Sequence, residues 1–163
     1  MKSNYKVPND TVVGHIHLKV TDLERALKFY RDLLGFKVTT MYGDQAAFLS
    51  AGGYHHQIGL NTWHSKNGSP APQRAAGLYH TAFLYPTRKD LAEIVKRLID
   101  NEYPITGASD HGVSEAIYLN DPDGNGVELY RDRPKEEWSY KEDGSIVMVT
   151  DPLDLSDLLN ELN

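Results

Sequence analysis

Ile117-Tyr118-Leu119-Asn120-Asp121-Pro122-Asp123-Gly124-Asn125-Gly126-Val127-Glu128-Leu129-Tyr130 is the stretch on which the fold turns. It reads as strand, tight turn, strand. In Asp-Pro-Asp-Gly, proline presets φ at the second turn position and glycine takes a backbone conformation that a bulky residue resists. The flanking arms are short apolar or alternating runs, as strands are. Glu128 is the odd residue: a carboxylate among Val, Leu and Tyr is costly to bury unless it is paired or bound to a cation. The rest of the chain supplies what it could face.

Upstream, residues 11–20 alternate. Ile16, Leu18 and Val20 take one face; His15, His17 and Lys19 take the other, so this is a half-buried strand with two histidines on its second face. Thr21-Asp22-Leu23-Glu24 has the spacing of a capping box. The helix it opens runs to about Leu34, with Leu23, Ala26, Leu27, Tyr30, Leu33 and Leu34 as its apolar stripe and Gly35 as its stop. Strands are expected near 36–42, 46–50 and 55–62. Residues 1–10 read as loose, and residues 63–77 as a long loop, which in a compact domain is often functional.

The pattern then starts again. A strand at 78–85 ends at Pro86, and Thr87-Arg88-Lys89-Asp90 is a second cap. Leu91, Ile94, Val95, Leu98 and Ile99 form a second helical stripe, and strands follow near 104–108, 114–120 and 126–131. The chain therefore reads as strand, helix and three strands, twice over, with about 65 residues between His15 and His80. Such duplication means two units that complete one sheet system between them. We expect an α+β fold of two βαβββ units, at about 11–62 and 78–132, forming a curved, partly closed sheet around a metal site. Residues 1–134 would make one module. Residues 135–163 would be an extension whose Leu153, Leu155, Leu158, Leu159 and Leu162 form a helix packed on the domain or on a partner subunit.

Composition narrows the function. The chain has 163 residues, 40% hydrophobic and 25% charged, which suits one soluble globular domain. A net charge of −6 argues against nucleic acid and anionic membranes as partners. The absence of cysteine excludes thiol catalysis, disulfides and Cys-ligated zinc. The start has no apolar signal region and no run is long enough to span a bilayer, so a cytoplasmic protein is expected. Any metal site must use His, Asp, Glu or Tyr.

His15, His80 and Glu128 come from three strands. Two histidines and one carboxylate are the set that holds non-haem Fe(II) and leaves positions open; Mn(II) tolerates the same ligands. Taken singly, a strand histidine is an ordinary structural residue. Equivalent placement in two repeats is what singles out His15 and His80.

The chain resembles the vicinal oxygen chelate superfamily, which holds glyoxalase I, bleomycin-resistance proteins, fosfomycin-resistance enzymes and type I extradiol dioxygenases. The marks are Gly14-His15-x-x-Leu18-x-Val20-x-Asp22-Leu23, Phe29-Tyr30-x-x-Leu33-Leu34-Gly35-Phe36, and Asp121-Pro122-Asp123-Gly124 leading to Glu128. It is most similar to one module of the extradiol catechol 2,3-dioxygenases, through His111, Ile117-Tyr118, the Pro122 turn and Glu128. Ser109, two before His111, departs from the usual pattern. The resemblance implies metal ligands His15, His80 and Glu128, and catalytic residues His56, Tyr118 and His111. It implies no organic cofactor, but a divalent metal (Fe(II), or else Mn(II)), with an aromatic substrate, O2 and a homodimer.

In that chemistry His56 would deprotonate catechol and later protonate the bound peroxide, Tyr118 would donate a hydrogen bond to the peroxide or a substrate oxygen, and His111 would hydrogen-bond a substrate oxygen. His17 would line the pocket without a role, and His64 is a loop residue. Trp63, Trp138, Tyr54 and Tyr79 read as packing. Glyoxalase-type isomerases add a fourth ligand on the strand at 55–62, where the matching position is Gly59. Thiol transferases share the two His and one Glu. Bleomycin-binding proteins lack the ligand set altogether.

Overall fold

The computed structural model describes residues 4–72 and 74–163. The first three residues of the expected loose start, and Gln73 of the expected long loop, lie outside them. In the first half, β1 (Ile16–Lys19) leads into α1 (Leu23–Leu27), then β2 (Lys37–Tyr42), β3 (Ala46–Ser50) and β4 (Ile58–Asn61). In the second half, β5 (His80–Leu84) leads into α2 (Arg88–Asp100), then β6 (Ile105–Asp110), β7 (Ser114–Asn120) and β8 (Gly126–Asp132). The halves form separate sheets, ordered β1-β4-β3-β2 and β5-β8-β7-β6, and the second gains a short fifth strand, β9 (Asp151–Pro152), beside β6. In each half the first strand runs parallel to the last and lies at a sheet edge. The sheets do not close into a barrel.

The duplication read from the sequence is thus the architecture, with some boundaries moved. The first strand begins at Ile16, so His15 stands just before it. The first helix is capped by Asp22, whose carboxylate accepts from Arg25 N at 2.9 Å, and not by Thr21. Thr21 turns instead to the other half: its backbone N–H donates to Asp123. At Thr87 the sequence signal was sufficient, and its hydroxyl accepts from Asp90 N at 3.1 Å. After Leu27 the helix widens into a π turn over Lys28–Leu33, which buries Phe29, Tyr30 and Leu33.

One hydrophobic cluster joins the halves. Val20, Leu27 and Tyr30 from the first meet Leu91, Leu98, Ile117 and Leu129 from the second. Polar bonds fix the alignment. Tyr30 OH donates to Asp121 Oδ2 at 3.0 Å, and Arg97 donates to the Asp32 and Leu33 carbonyls that end the first helix. The Asp-Pro-Asp-Gly turn is therefore a weld as well as a turn.

The extension after residue 134 returns along the second half. It pairs through β9 with β6 and ends in α3 (Leu155–Leu159), where fully buried Leu158 packs in the core. Arg88 of α2 bonds Asp157 at 2.7 Å and Glu161 at 2.9 Å. It also reaches buried Glu115, which accepts from Arg131 and Arg133 as well. Burial pushes the Glu115 carboxyl up, but hydrogen bonds from Arg131 and Arg88 more than offset this and hold it below the ordinary carboxylate range. Its depressed value makes it stabilising above the ordinary carboxylate pKa, and that contribution is lost as pH falls through the folded value. Glu115→Gln is expected to destabilise the chain by about 3 kcal/mol, because three guanidinium groups lose their shared anion. A urea titration at neutral pH measures it; the wild-type advantage should shrink in acid.

Among the described residues no helix is long and apolar enough to cross a membrane.

Candidate active site

The side chains that could do chemistry fall into two groups, one on each sheet. On the second sheet, parallel pairing sets His80 opposite Gly126 and Ala82 opposite Glu128. His80 Nε2 and Glu128 Oε2 lie 2.8 Å apart. Tyr118, opposite Glu128 on the antiparallel neighbour β7, places its hydroxyl 3.4 Å from Glu128 Oε1. His111 sits where the chain turns from β6 to β7, and its Nε2 is 2.6 Å from the Tyr118 hydroxyl. So His80, Glu128, Tyr118 and His111 form one continuous row.

Gly126 is what allows His80 this position. A Cβ there would collide with the Tyr79 carbonyl oxygen and would stand 3.1 Å from His80 Cβ. The obstacle is mostly backbone, so it cannot swing aside. Gly126→Ala is expected to destabilise by about 1–3 kcal/mol, the usual range for overpacking, and to displace His80 from Glu128. Thermal melting reads the first effect and metal affinity the second.

The first sheet carries the other group. His15 and His56 rings are 4.6 Å apart, and His55 Nδ1 lies 2.7 Å from His56 Nδ1. Partial burial, and then the neighbouring imidazoles of His55, His15 and His17, hold His56 below the ordinary histidine value. That favours a neutral ring at pH 7, the form a general base needs. His17 packs against Phe48 and Trp63.

The structure therefore unites His80 with Glu128, Tyr118 and His111, and His15 with His56, but it does not bring the two groups together. Among the described residues no three His, Asp or Glu side chains surround one point where a cation could sit. A cleft of about 550 Å³ runs between the starts of the two halves, past His15, Phe36, Thr81, Phe83 and Tyr85, and its lining includes neither His80 nor Glu128.

Register also explains the missing fourth ligand. His17 pairs with Gly59 as Ala82 pairs with Glu128, so Gly59 is the first-half counterpart of Glu128. A Cβ on Gly59 would lie 2.9 Å from the His17 ring. The imidazole fills the space that a carboxylate side chain would enter.

Two features escaped the sequence reading: the arginine cluster around Glu115, and the contact of His111 with the extension. Neither has a local motif; the partners lie 16 to 38 residues or more apart.

The chain is similar to known proteins over most of its length. The family model described as Glyoxalase/Bleomycin resistance protein/Dioxygenase superfamily matches residues 12–129. The chain belongs to that superfamily. Within it, the chain is 41% identical over 156 residues to a catechol-2,3-dioxygenase of Bacillus subtilis (strain 168), covering 95% of this chain and 53% of that protein. The chain thus spans about half the length of that relative. It is 34% identical over 135 residues to biphenyl-2,3-diol 1,2-dioxygenase 3 of Rhodococcus globerulus, covering 78% of this chain and 68% of the other. Superfamily membership also fits the solved structure of a lactoylglutathione lyase from Agrobacterium tumefaciens, with a TM-score of 0.60 at 23% identity, covering 77% of this chain and 96% of that one. That likeness is one of fold.

Proposed function

We propose that the chain is a metal-dependent extradiol dioxygenase that opens a catechol-type ring with O2, using Fe(II), with Mn(II) as the alternative ion. The observation that carries this reading is the His80–Glu128–Tyr118–His111 row. The dioxygenase names of two relatives support it. The pair itself suits a cation: two ligands about 2.1 Å from one ion and at right angles to each other lie about 3 Å apart, close to the 2.8 Å between His80 Nε2 and Glu128 Oε2. His80, Glu128 and His15 would hold the ion, which when bound lowers the pKa of a substrate hydroxyl.

The chain's own side chains supply the rest. Neutral His56 accepts the proton that a catechol hydroxyl gives up and later returns it. Tyr118 and His111 hold a substrate oxygen at the far end of the row. An isomerase with a fourth carboxylate ligand fits less well, because Gly59 has no room for one beside His17. Thiol transfer could use the same ligands, but it gives the His111–Tyr118 pair no task.

We further propose that the chain works as a homodimer in which His15 and His56 of one copy face His80 and Glu128 of the other. Both first strands, β1 and β5, leave one edge unpaired. Exposed Val12, Val13, Leu78, Tyr79 and Leu84 flank those edges. Unpaired edges bordered by apolar residues favour a covering partner.

The test is oxygen consumption by Fe(II)-loaded protein given catechol and substituted catechols. One O2 per ring opened is expected. A stoichiometrically bound metal with no uptake on any catechol would overturn the dioxygenase reading.

A further inference from the structure

The extension after residue 134 reaches the proposed site at His111, through hydrogen bonds. His111 Nδ1 lies 2.8 Å from the Val149 carbonyl oxygen, and Val149 N donates back to the His111 carbonyl at 3.2 Å. The segment carrying Val149 is held on both sides. Val147 N bonds Ser139 O at 2.9 Å before it, and β9 pairs with β6 just after it, Asp151 opposite Asp110. Beyond that, α3 is anchored by buried Leu158 and by Arg88. Gly112, with φ +76, turns the chain next to His111 against this strap.

A carbonyl oxygen can only accept a hydrogen bond. Nδ1 of His111 must therefore carry the hydrogen. In a neutral imidazole, Nε2 is then the lone-pair nitrogen and accepts. Its neighbour at 2.6 Å is the Tyr118 hydroxyl, which thus donates to it. The other partner of that hydroxyl, Glu128 Oε1, is at 3.4 Å, too far to compete for the proton.

We infer that the C-terminal strap is a positioning device: the Val149 carbonyl fixes His111 as its Nδ1–H tautomer, which draws the Tyr118 proton toward His111 and leaves the Tyr118 oxygen, next to Glu128, as an acceptor for a ligand. This deepens the dioxygenase reading and rests on it for the identity of the ligand. An acceptor at this place takes a hydrogen bond from a ligand hydroxyl, so the site favours a phenolic O–H over a carbonyl or an ether oxygen. Tyr118 thus receives a hydrogen bond from the arriving substrate, the reverse of the donor role toward a peroxide or substrate oxygen expected from the sequence. Val149 acts through His111 and touches no ligand.

The tautomer can be read directly. Long-range ¹H–¹⁵N correlation spectra of the full chain, metal-free and loaded with diamagnetic Zn(II), distinguish Nδ1–H from Nε2–H rings above the histidine titration range. His111 is assigned by the signal that His111→Gln removes. We expect Nδ1–H in excess by about tenfold or more, the scale set by one net hydrogen bond. The same preference should persist in Tyr118→Phe, where only the strap remains to hold the ring. An Nε2–H ring in the wild type would overturn the inference, and so would a preference that disappears in Tyr118→Phe, since Tyr118 and not Val149 would then be setting it. The spectrum requires no turnover, so failed catechol oxidation would count against the proposed reaction and leave this result standing.

Discussion

Glu128→Ala is expected to abolish catechol-dependent oxygen uptake and metal retention together, while the chain still melts cooperatively. Glu128 is only 9% exposed, and its carboxylate lies against His80 and Tyr118. Burying a carboxylate is costly unless a cation offsets it. Its removal therefore takes away little folding energy, and stability should change by no more than about 1–2 kcal/mol. Activity should fall further than the roughly 10- to 100-fold that follows loss of a residue merely supporting a ligand. Glu128→Gln keeps the shape and removes the charge, so it should fail in the same way. Calorimetric metal titration beside a melting curve separates the two effects. A variant that binds metal as tightly as the wild type would remove Glu128 from the ligand set.

A mixing experiment has the second large effect. His15→Ala and Glu128→Ala chains should each be inactive alone, and a 1:1 mixture should recover about a quarter of wild-type activity. In a symmetric dimer with shared sites, subunit exchange makes half of the dimers mixed, and each mixed dimer holds one site with both substitutions and one with neither. The expectation follows from the placement of His15 with His56, apart from the His80–Glu128 pair. If exchange is shown by mass and activity stays at zero, His15 does not complete the site across a dimer.

Much of the fold was legible because its signals are local. Alternation located eight strands, a helical stripe located α2, and the offset between His15 and His80 exposed the duplication. The errors arose where a distant residue won the competition. Thr21 has the capping spacing, yet its N–H goes to Asp123, 102 residues away, and Asp22 takes the cap. The row from His80 to His111 was legible as residue types, because three of its members lie on or beside strands whose pairing the turn at Pro122 dictates. The grouping of His15 with His56 depends on the parallel pairing of β1 with β4, which sets the residues before the two strands side by side and which no periodicity encodes. The Val149 contact joins an irregular segment to a hairpin 38 residues earlier, and such segments carry no repeating pattern.

The pairing of His17 with Gly59 also constrains how this centre could change. The two halves descend from one pattern, but only the second retains a carboxylate at the matching position. A four-ligand, more symmetrical centre requires the His17 ring to shift as well as a carboxylate at position 59. Gly59→Glu alone would drive its new side chain into the His17 ring, and shrinking His17 alone would leave a gap beside Phe48 and Trp63. The two changes are coupled, each harmful without the other. A directed-evolution library aimed at a different coordination number should therefore vary positions 17 and 59 together.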